Sequence, residues 1–303
     1  MKSINYSFII PVFNSVDSLP ILYNGINELM TELNTTFEVL FIDDCGISES
    51  WLKLLELKKQ FPDNINLIKL TKNFGQNGAT LCGIGEAKGE FVVTIDDDLQ
   101  VHPREIKKLI DYYNIHQSDV IYGVYKANKD AVIRNFGSKL IKKVFTRSEG
   151  GSNIGSSIRL IKSNIADYLR NHSQDHLFIN QVISWYTFDT KFVEILRDER
   201  FEGKSGYSLY KLFSIAFRLI FLYTTIPLKI MIVLCIIGSL GSLMLASYYI
   251  YQHFAFGYGL GFLALIVMAI SLVLASISIM GIYLNRIYSS RVKKPHYAIK
   301  IKM

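Results

Sequence analysis

Three consecutive carboxylates, Asp96, Asp97 and Asp98, follow the apolar run Phe91-Val-Val-Thr-Ile95 and precede Leu99 and Gln100. Adjacent anions repel one another unless a cation lies among them. Side chains alternate along an extended chain. Asp96 and Asp98 are therefore expected to point one way, Gln100 with them, and Asp97 the other way. Two carboxylates and an amide oxygen are hard donors that suit Mg2+ or Mn2+, ions that keep coordination sites open for phosphate oxygens. The metal set read from the sequence is Asp96, Asp98 and Gln100. The bland alternative is a solvated acidic turn capping the helix that starts near Pro103.

Cations complement these anions elsewhere. Arg159 stands in the apolar run Ile154-Gly-Ser-Ser-Ile-Arg-Leu-Ile161. A guanidinium there must find an anion, either a ligand or a structural salt-bridge partner. Arg197, Arg200, Lys204 and Ser205 fall in one glycine-bearing loop that invites a phosphate, with a solvated basic loop as the alternative. No histidine is placed as a base; His102, beside Pro103, reads as a surface or capping residue.

Strands and helices must alternate to position these groups. Tyr6–Ile10 reads as a first strand that Pro11 stops, leading into Val12-Phe13-Asn14. Ser18 is the expected N-cap of a helix to about Leu33. Strands follow at Phe37–Ile42, closed by Asp43-Asp44, and at Asn66–Leu70, with a helix over Ser50–Phe61 between them. Thr71–Asn77 reads as a polar loop and Ala79–Ala87 as a small-residue helix. Further strands are expected at Ser118–Val124, Ile154–Ile161 and Phe192–Leu196, with a helix over Phe178–Tyr186. This pattern is doubly wound α/β. Asn14, Asp43-Asp44 and Asp96–Asp98 then end three strands at one sheet edge, where open α/β sheets bind ligands. A dinucleotide-binding dehydrogenase is discounted: strand one ends in PVFN, and Gly83-Ile-Gly85-Glu-Ala-Lys88 lacks the third glycine.

The chain has 303 residues and a net charge of +7, which suits anionic partners. Cys45, Cys82 and Cys235 have no metal spacing and read as free thiols. There is no signal peptide pattern at the start. Tyr207, Tyr210, Phe213, Phe217 and Phe221 form an aromatic stripe expected to lie in a membrane interface. Pro227–Tyr251 and Leu260–Leu284 are apolar runs, each long enough at ~1.5 Å per residue to cross a bilayer of about 30 Å. The tail carries Arg286, Arg291, Lys293, Lys294, Lys300 and Lys302, so both termini are expected in the cytoplasm.

Taken in order, these motifs resemble those of the inverting family 2 glycosyltransferases with a GT-A fold, in the branch that makes polyprenyl-phosphate sugars. Pro11–Asn14 is similar to the family's P-V-Y-N, Asp43-Asp44 to its acidic pair, Asn73–Gln76 to its N-F-G-Q loop, and Asp96–Gln100 to its D-x-D-L-Q metal motif. Gly155–Leu160 resembles its acceptor-side segment, and Arg200-x-x-Gly203-Lys204-Ser205-x-Tyr207 its loop before the membrane. The resemblance covers nearly the whole chain. It implies a GT-A nucleotide-sugar-binding domain with a Rossmann-like mixed sheet over 1–206, an interfacial helix over 207–225, a transmembrane hairpin over 226–286 and a basic tail over 287–303.

It implies transfer of one sugar from a nucleotide-diphosphate sugar to a polyprenyl phosphate at the cytoplasmic membrane. The donor would lie on Pro11, Phe13, Asn14, Asp43, Asn73, Gln76 and Asp97, with uridine favoured over guanosine. Asp96, Asp98, Arg159, Arg200 and Lys204 would carry the reaction, and Arg159, Arg200, Lys204 and Ser205 would hold the acceptor phosphate. No nucleic acid is expected; the resemblance allows a homo-oligomer through the spans, while the sequence itself gives no oligomeric state. Ser15 replaces a usual glutamate, Cys45-Gly46 the residues usual after the acidic pair, and Ser156-Ser157 stand where several members place an aspartate. The Q-x-x-R-W signature of processive synthases is absent. Transfer to a lipid-linked glycan is the alternative activity, and a catalytically dead membrane scaffold is the non-enzyme alternative.

Overall fold

The structure, a computed structural model, describes residues 4–125, 157–171, 179–197, 226–257, 260–291 and 295–303. The chain divides into two units: Met1–Ser205 with Lys294–Met303, and Gly206–Lys293.

The first unit is a mixed sheet between two helical layers. Its strands are β1 (Tyr6–Val12), β2 (Phe37–Asp43), β3 (Ile65–Leu70), β4 (Phe91–Thr94), β5 (Val120–Tyr125), β6 (Arg159–Lys162), β7 (Thr190–Ile195) and β8 (Ile299–Lys302). They lie in the order β7-β5-β6-β4-β1-β2-β3-β8. β4, β1, β2 and β3 run parallel, while β6 and β8 run antiparallel to their neighbours. Its helices are α1 (Ser18–Glu32), α2 (Ser48–Gln60), α3 (Gly75–Glu86), α4 (Glu105–His116), α5 (Ser163–Arg170) and α6 (Ile179–Tyr186).

The central strands are apolar on both faces because both are covered. Phe8, Ile10, Val39 and Phe41 pack with Leu22, Ile26, Leu54 and Ile106 of α1, α2 and α4. Ile9, Leu40, Ile42 and Ile68 pack with Ala79, Cys82, Ile165 and Val182 of α3, α5 and α6. The α/β reading with a mixed sheet thus holds.

Several local expectations give way. Pro11 does not stop β1, which pairs through Val12 with Asp43. The Ile9 carbonyl accepts from Ile95 N at 3.1 Å and the Val12 carbonyl from Asp44 N at 3.0 Å. Residues 9 and 11 therefore face β4, whose pairing with β1 ends at Thr94, so the missing proline N–H costs no ladder bond. Ser18 is the first residue of α1, not its cap; Asp17 is the cap position and makes no side-chain cap bond. α3 begins at Gly75 inside the expected loop, because the Asp44 carboxylate accepts from Phe74 N at 2.7 Å and Gly75 N at 2.8 Å. α5 was not expected at all.

The tail, expected to be a plain basic extension over 287–303, returns to the first unit. Met303 and Leu67 exchange backbone bonds of 3.0 and 2.9 Å, and Thr71 N donates to Ala298 O at 2.9 Å. Gly78 of α3 admits this segment: a Cβ there would stand 2.8 Å from both the His296 carbonyl oxygen and Phe74 Cβ. The residues expected to form the interfacial helix, 207–225, lie outside the described residues.

The second unit contains α7 (Ile226–Phe256) and α8 (Leu260–Arg291), of 31 and 32 residues, which pack on each other. They contain both apolar runs. Counting described residues alone, no helix is long and apolar enough to cross a membrane.

Candidate functional site at the carboxyl edge of the sheet

β4, β1 and β2 are parallel neighbours, so their carboxyl ends share one edge. Beyond Thr94 the chain turns instead of continuing extended, and Leu99 takes a left-handed φ of 54° while its side chain packs on the core. A bulky residue with positive φ is strained backbone, held here by its packing. The three carboxylates find three sets of partners. Asp96 accepts from Ser157 Oγ and from Gln76 Nε2. Asp97 Oδ2 accepts from Phe13 N at 3.1 Å, and Ser15 also donates to Asp97. Asp98 Oδ1 accepts from Gln100 N at 3.2 Å, closing the turn.

Burial raises the pKa of Asp96, with the Asp98 charge adding to the effect. Burial also raises that of Asp97, to about 6. Crowded, desolvated carboxylates of this kind favour a cation over separate ionisation. All the donors are hard oxygens, so the residues fit an Mg2+- or Mn2+-type ion, although no cluster of three His, Cys, Asp or Glu forms among the described residues.

The β1 and β2 ends form the next wall. Asn14 has φ 65° and its Oδ1 accepts from Ile47 N at 3.0 Å. Gly46 lets the loops approach, since a Cβ there would stand 2.9 Å from Asn14 N. Phe13 is 50% exposed at the site. Asp43, expected to face the nucleoside, is instead fully buried: Oδ1 accepts from Gly46 N at 3.1 Å and Oδ2 pairs with Lys69 Nζ at 3.0 Å. It shapes the loop from behind. Asn73 Oδ1 accepts from Gly75 N at 3.0 Å.

Arg159 is also turned inward. Its Nε donates to Asn180 Oδ1 at 2.6 Å, and Nη1 donates to Thr94 Oγ1 at 3.1 Å and to the Ser157 carbonyl at 3.0 Å. It is 7% exposed, and burial lowers its pKa while the Tyr122 hydroxyl and the Asp96 charge oppose that. Its described bonds tie β6, β4 and α6 together behind Asp96, in place of the acceptor-facing position expected. Gln100 Oε1 accepts from Arg197 Nη2 at 2.7 Å. Arg200, Lys204 and Ser205 lie outside the described residues.

Ser157, Asn180, Ser15 and Tyr125 were not singled out as site residues. For Ser157 the signal is the register: Thr94 pairs with Arg159 in antiparallel strands, which sets residue 157 opposite residue 96. The sequence does not state that β6 runs antiparallel to β4.

The family model described as "Glycosyl transferase family 2" matches residues 7–173. The chain is 28% identical over 98% of its length to 93% of an undecaprenyl-phosphate 4-deoxy-4-formamido-L-arabinose transferase of Pectobacterium atrosepticum. It is 29% identical, over 98% of its length, to 95% of an uncharacterised glycosyltransferase of Synechocystis. Among solved structures, the mannosyl-3-phosphoglycerate synthase of Rubrobacter xylanophilus superposes with a TM-score of 0.52 at 11% identity, covering 72% of each chain, a likeness of fold. With more than half of its length matched by the family model, and that match holding β1 to β4 with all three carboxylates, this chain belongs to glycosyltransferase family 2.

Proposed function

We infer that the protein moves one sugar, with inversion, from a nucleotide-diphosphate sugar to a polyprenyl phosphate. The observation that carries this reading is the run of carboxylates Asp96, Asp97 and Asp98 at the carboxyl edge of the sheet, with Asp96 and Asp97 desolvated there. The activity named for the Pectobacterium relative, matched along almost its whole length, supports the acceptor.

Asp96 and Asp98, with Gln100, would hold Mg2+ or Mn2+, which neutralises charge on the departing nucleotide diphosphate. Asp97 holds the Phe13 amide and Ser15, and so fixes the loop after β1. Pro11, Phe13, Asn14, Asn73 and Gln76 line the donor side, with a uridine nucleotide favoured. Asp43 acts through the loop it shapes. Ser157 and Gln76 orient Asp96, and Arg159 supports Asp96 from behind. The attacking group is a phosphate oxygen, mostly ionised near neutral pH because its second pKa is about 6. It needs a positive clamp more than a base, and Arg200, Lys204 and Ser205 are assigned to it.

α7 and α8 are read as a membrane hairpin. At ~1.5 Å per residue each is roughly 45 Å long, against a hydrocarbon core of about 30 Å. Val233, Ile237, Met244, Ile270, Ile277 and Met280 are all exposed on them, an apolar surface that lipid would cover. The chain leaves the first unit at Ser205 and rejoins it at Lys294, so the crossings must be even in number. The basic residues Arg286, Arg291, Lys293 and Lys294 after the second span favour the cytoplasmic side for the catalytic unit and both termini.

The test is to incubate purified protein with Mn2+, undecaprenyl phosphate and a panel of labelled nucleotide sugars. The reading expects an extractable lipid carrying one sugar and cleaved by mild acid. Label appearing only on a longer lipid-linked glycan would move the acceptor, and no lipid product from any donor would overturn the reading.

A further inference from the structure

Gln100 and Arg197 are joined by the 2.7 Å bond from the guanidinium to the amide oxygen. That oxygen is the atom through which Gln100 would serve a divalent ion. The guanidinium also lies 4.6 Å from the centroid of the Tyr125 ring, a cation–π stack at the end of β5. Tyr125 stands in the electrostatic reach of Asp96 and Asp98 and is hydrogen-bonded with Ser157, which itself binds Asp96. The backbone beneath is fixed: Leu196 N donates to Glu105 Oε2 at 2.8 Å, just past the end of β7. Arg197 is exposed, so its head is free to exchange partners while its base stays put.

An amide oxygen has two lone pairs, but a guanidinium and a divalent cation on the same oxygen repel strongly at that separation. The Arg197–Gln100 bond and metal ligation by Gln100 are therefore alternative states. When the ion takes Gln100, Arg197 loses its acceptor but keeps its stack on Tyr125, beside the carboxylates. The chemistry that best replaces an amide oxygen for a guanidinium is an anionic oxygen pair, and phosphate supplies it.

We propose that Arg197 is an exchange residue: it holds Gln100 while the site is empty and transfers to a phosphate oxygen once a divalent ion claims Gln100. This rests on the carboxylate-metal reading given above. It makes metal loading the event that presents a cation to phosphate, and so orders binding. The phosphate belongs either to the nucleotide diphosphate or to the acceptor lipid, and the two are separable.

The experiment compares the full-length protein with Arg197→Gln. Mn2+ binding is titrated without nucleotide by electron paramagnetic resonance. UDP affinity is then measured at saturating Mn2+, and KM for undecaprenyl phosphate is measured last. Removing the competitor should tighten Mn2+ binding by about tenfold, the scale of one charge-assisted hydrogen bond. Losing the phosphate contact should weaken one of the other two quantities by about tenfold. Weaker UDP assigns the donor diphosphate; a raised KM with unchanged UDP affinity assigns the acceptor. Arg197→Lys, which keeps the charge, should restore most of the phosphate arm. If the variant binds Mn2+ as the wild type does, or tightens Mn2+ with neither phosphate arm moved, the exchange is wrong. Wild-type protein that binds no Mn2+ at all would instead sink the carboxylate-metal reading, and the exchange with it.

Discussion

Asp97 shows how much a single side chain can report. Burial lifts its pKa from 3.8 to about 6. The native state therefore holds the proton more tightly than the unfolded chain, and native stability from this group is lost as pH rises from about 4 to about 6. In EDTA, wild type should lose roughly 1 kcal/mol more than Asp97→Asn between pH 5 and pH 7, since a tenfold difference in proton affinity is worth about 1.4 kcal/mol. Parallel thermal melts at the two pH values would read this; identical pH slopes for the two proteins would contradict it. The run of three aspartates was legible in the sequence because it follows a strand of apolar β-branched residues. Their individual partners were not, because Ser157, Gln76 and Phe13 are brought to them only by the fold. Nor was the inward placement of Asp43 and Arg159, which depends on Lys69, Asn180 and Thr94, brought near only by the fold.

At the scale of elements, α3 joins distant parts of the chain. Its start is capped by Asp44 from the end of β2, its first turn sends Gln76 to Asp96, and its outer face receives the returning tail at Gly78. Alanine at position 78 would gain about 1 kcal/mol of helix propensity. Its Cβ would meet a backbone oxygen and Phe74 Cβ at 2.8 Å, however, and overpacking of that kind costs roughly 1–3 kcal/mol. Gly78→Ala is thus expected to be destabilising, with hydrogen exchange rising first at Leu67, Thr71 and Met303; a more stable protein with unchanged exchange would contradict this. The parallel core of the sheet could be read from short continuous apolar runs separated by helical segments. β8 could not, since Ile299-Lys-Ile-Lys302 is four residues in a basic tail and its partner is β3, more than two hundred residues earlier. The extent of α3 was missed for the same reason: its cap comes from another strand.

For the whole molecule, β8 pairs with β3, and the hairpin reading makes a prediction about the two faces of the membrane. A cysteine introduced by Phe254→Cys, at the far end of α7, should be labelled by an impermeant maleimide from the side of the membrane opposite to Cys45, which is exposed in the catalytic unit. Labelling of both from one side would remove the hairpin reading. The account stands or falls, though, on a divalent ion held by Asp96 and Asp98 that gathers a nucleotide diphosphate at the sheet edge. Calorimetric titration of UDP into the full-length protein tests this most directly, with Mn2+, with EDTA, and with Asp98→Ala in Mn2+. Binding is expected in the first case, with affinity falling at least about a hundredfold in the other two, the scale for losing a metal bridge and its charge. Equal affinity in all three would contradict it.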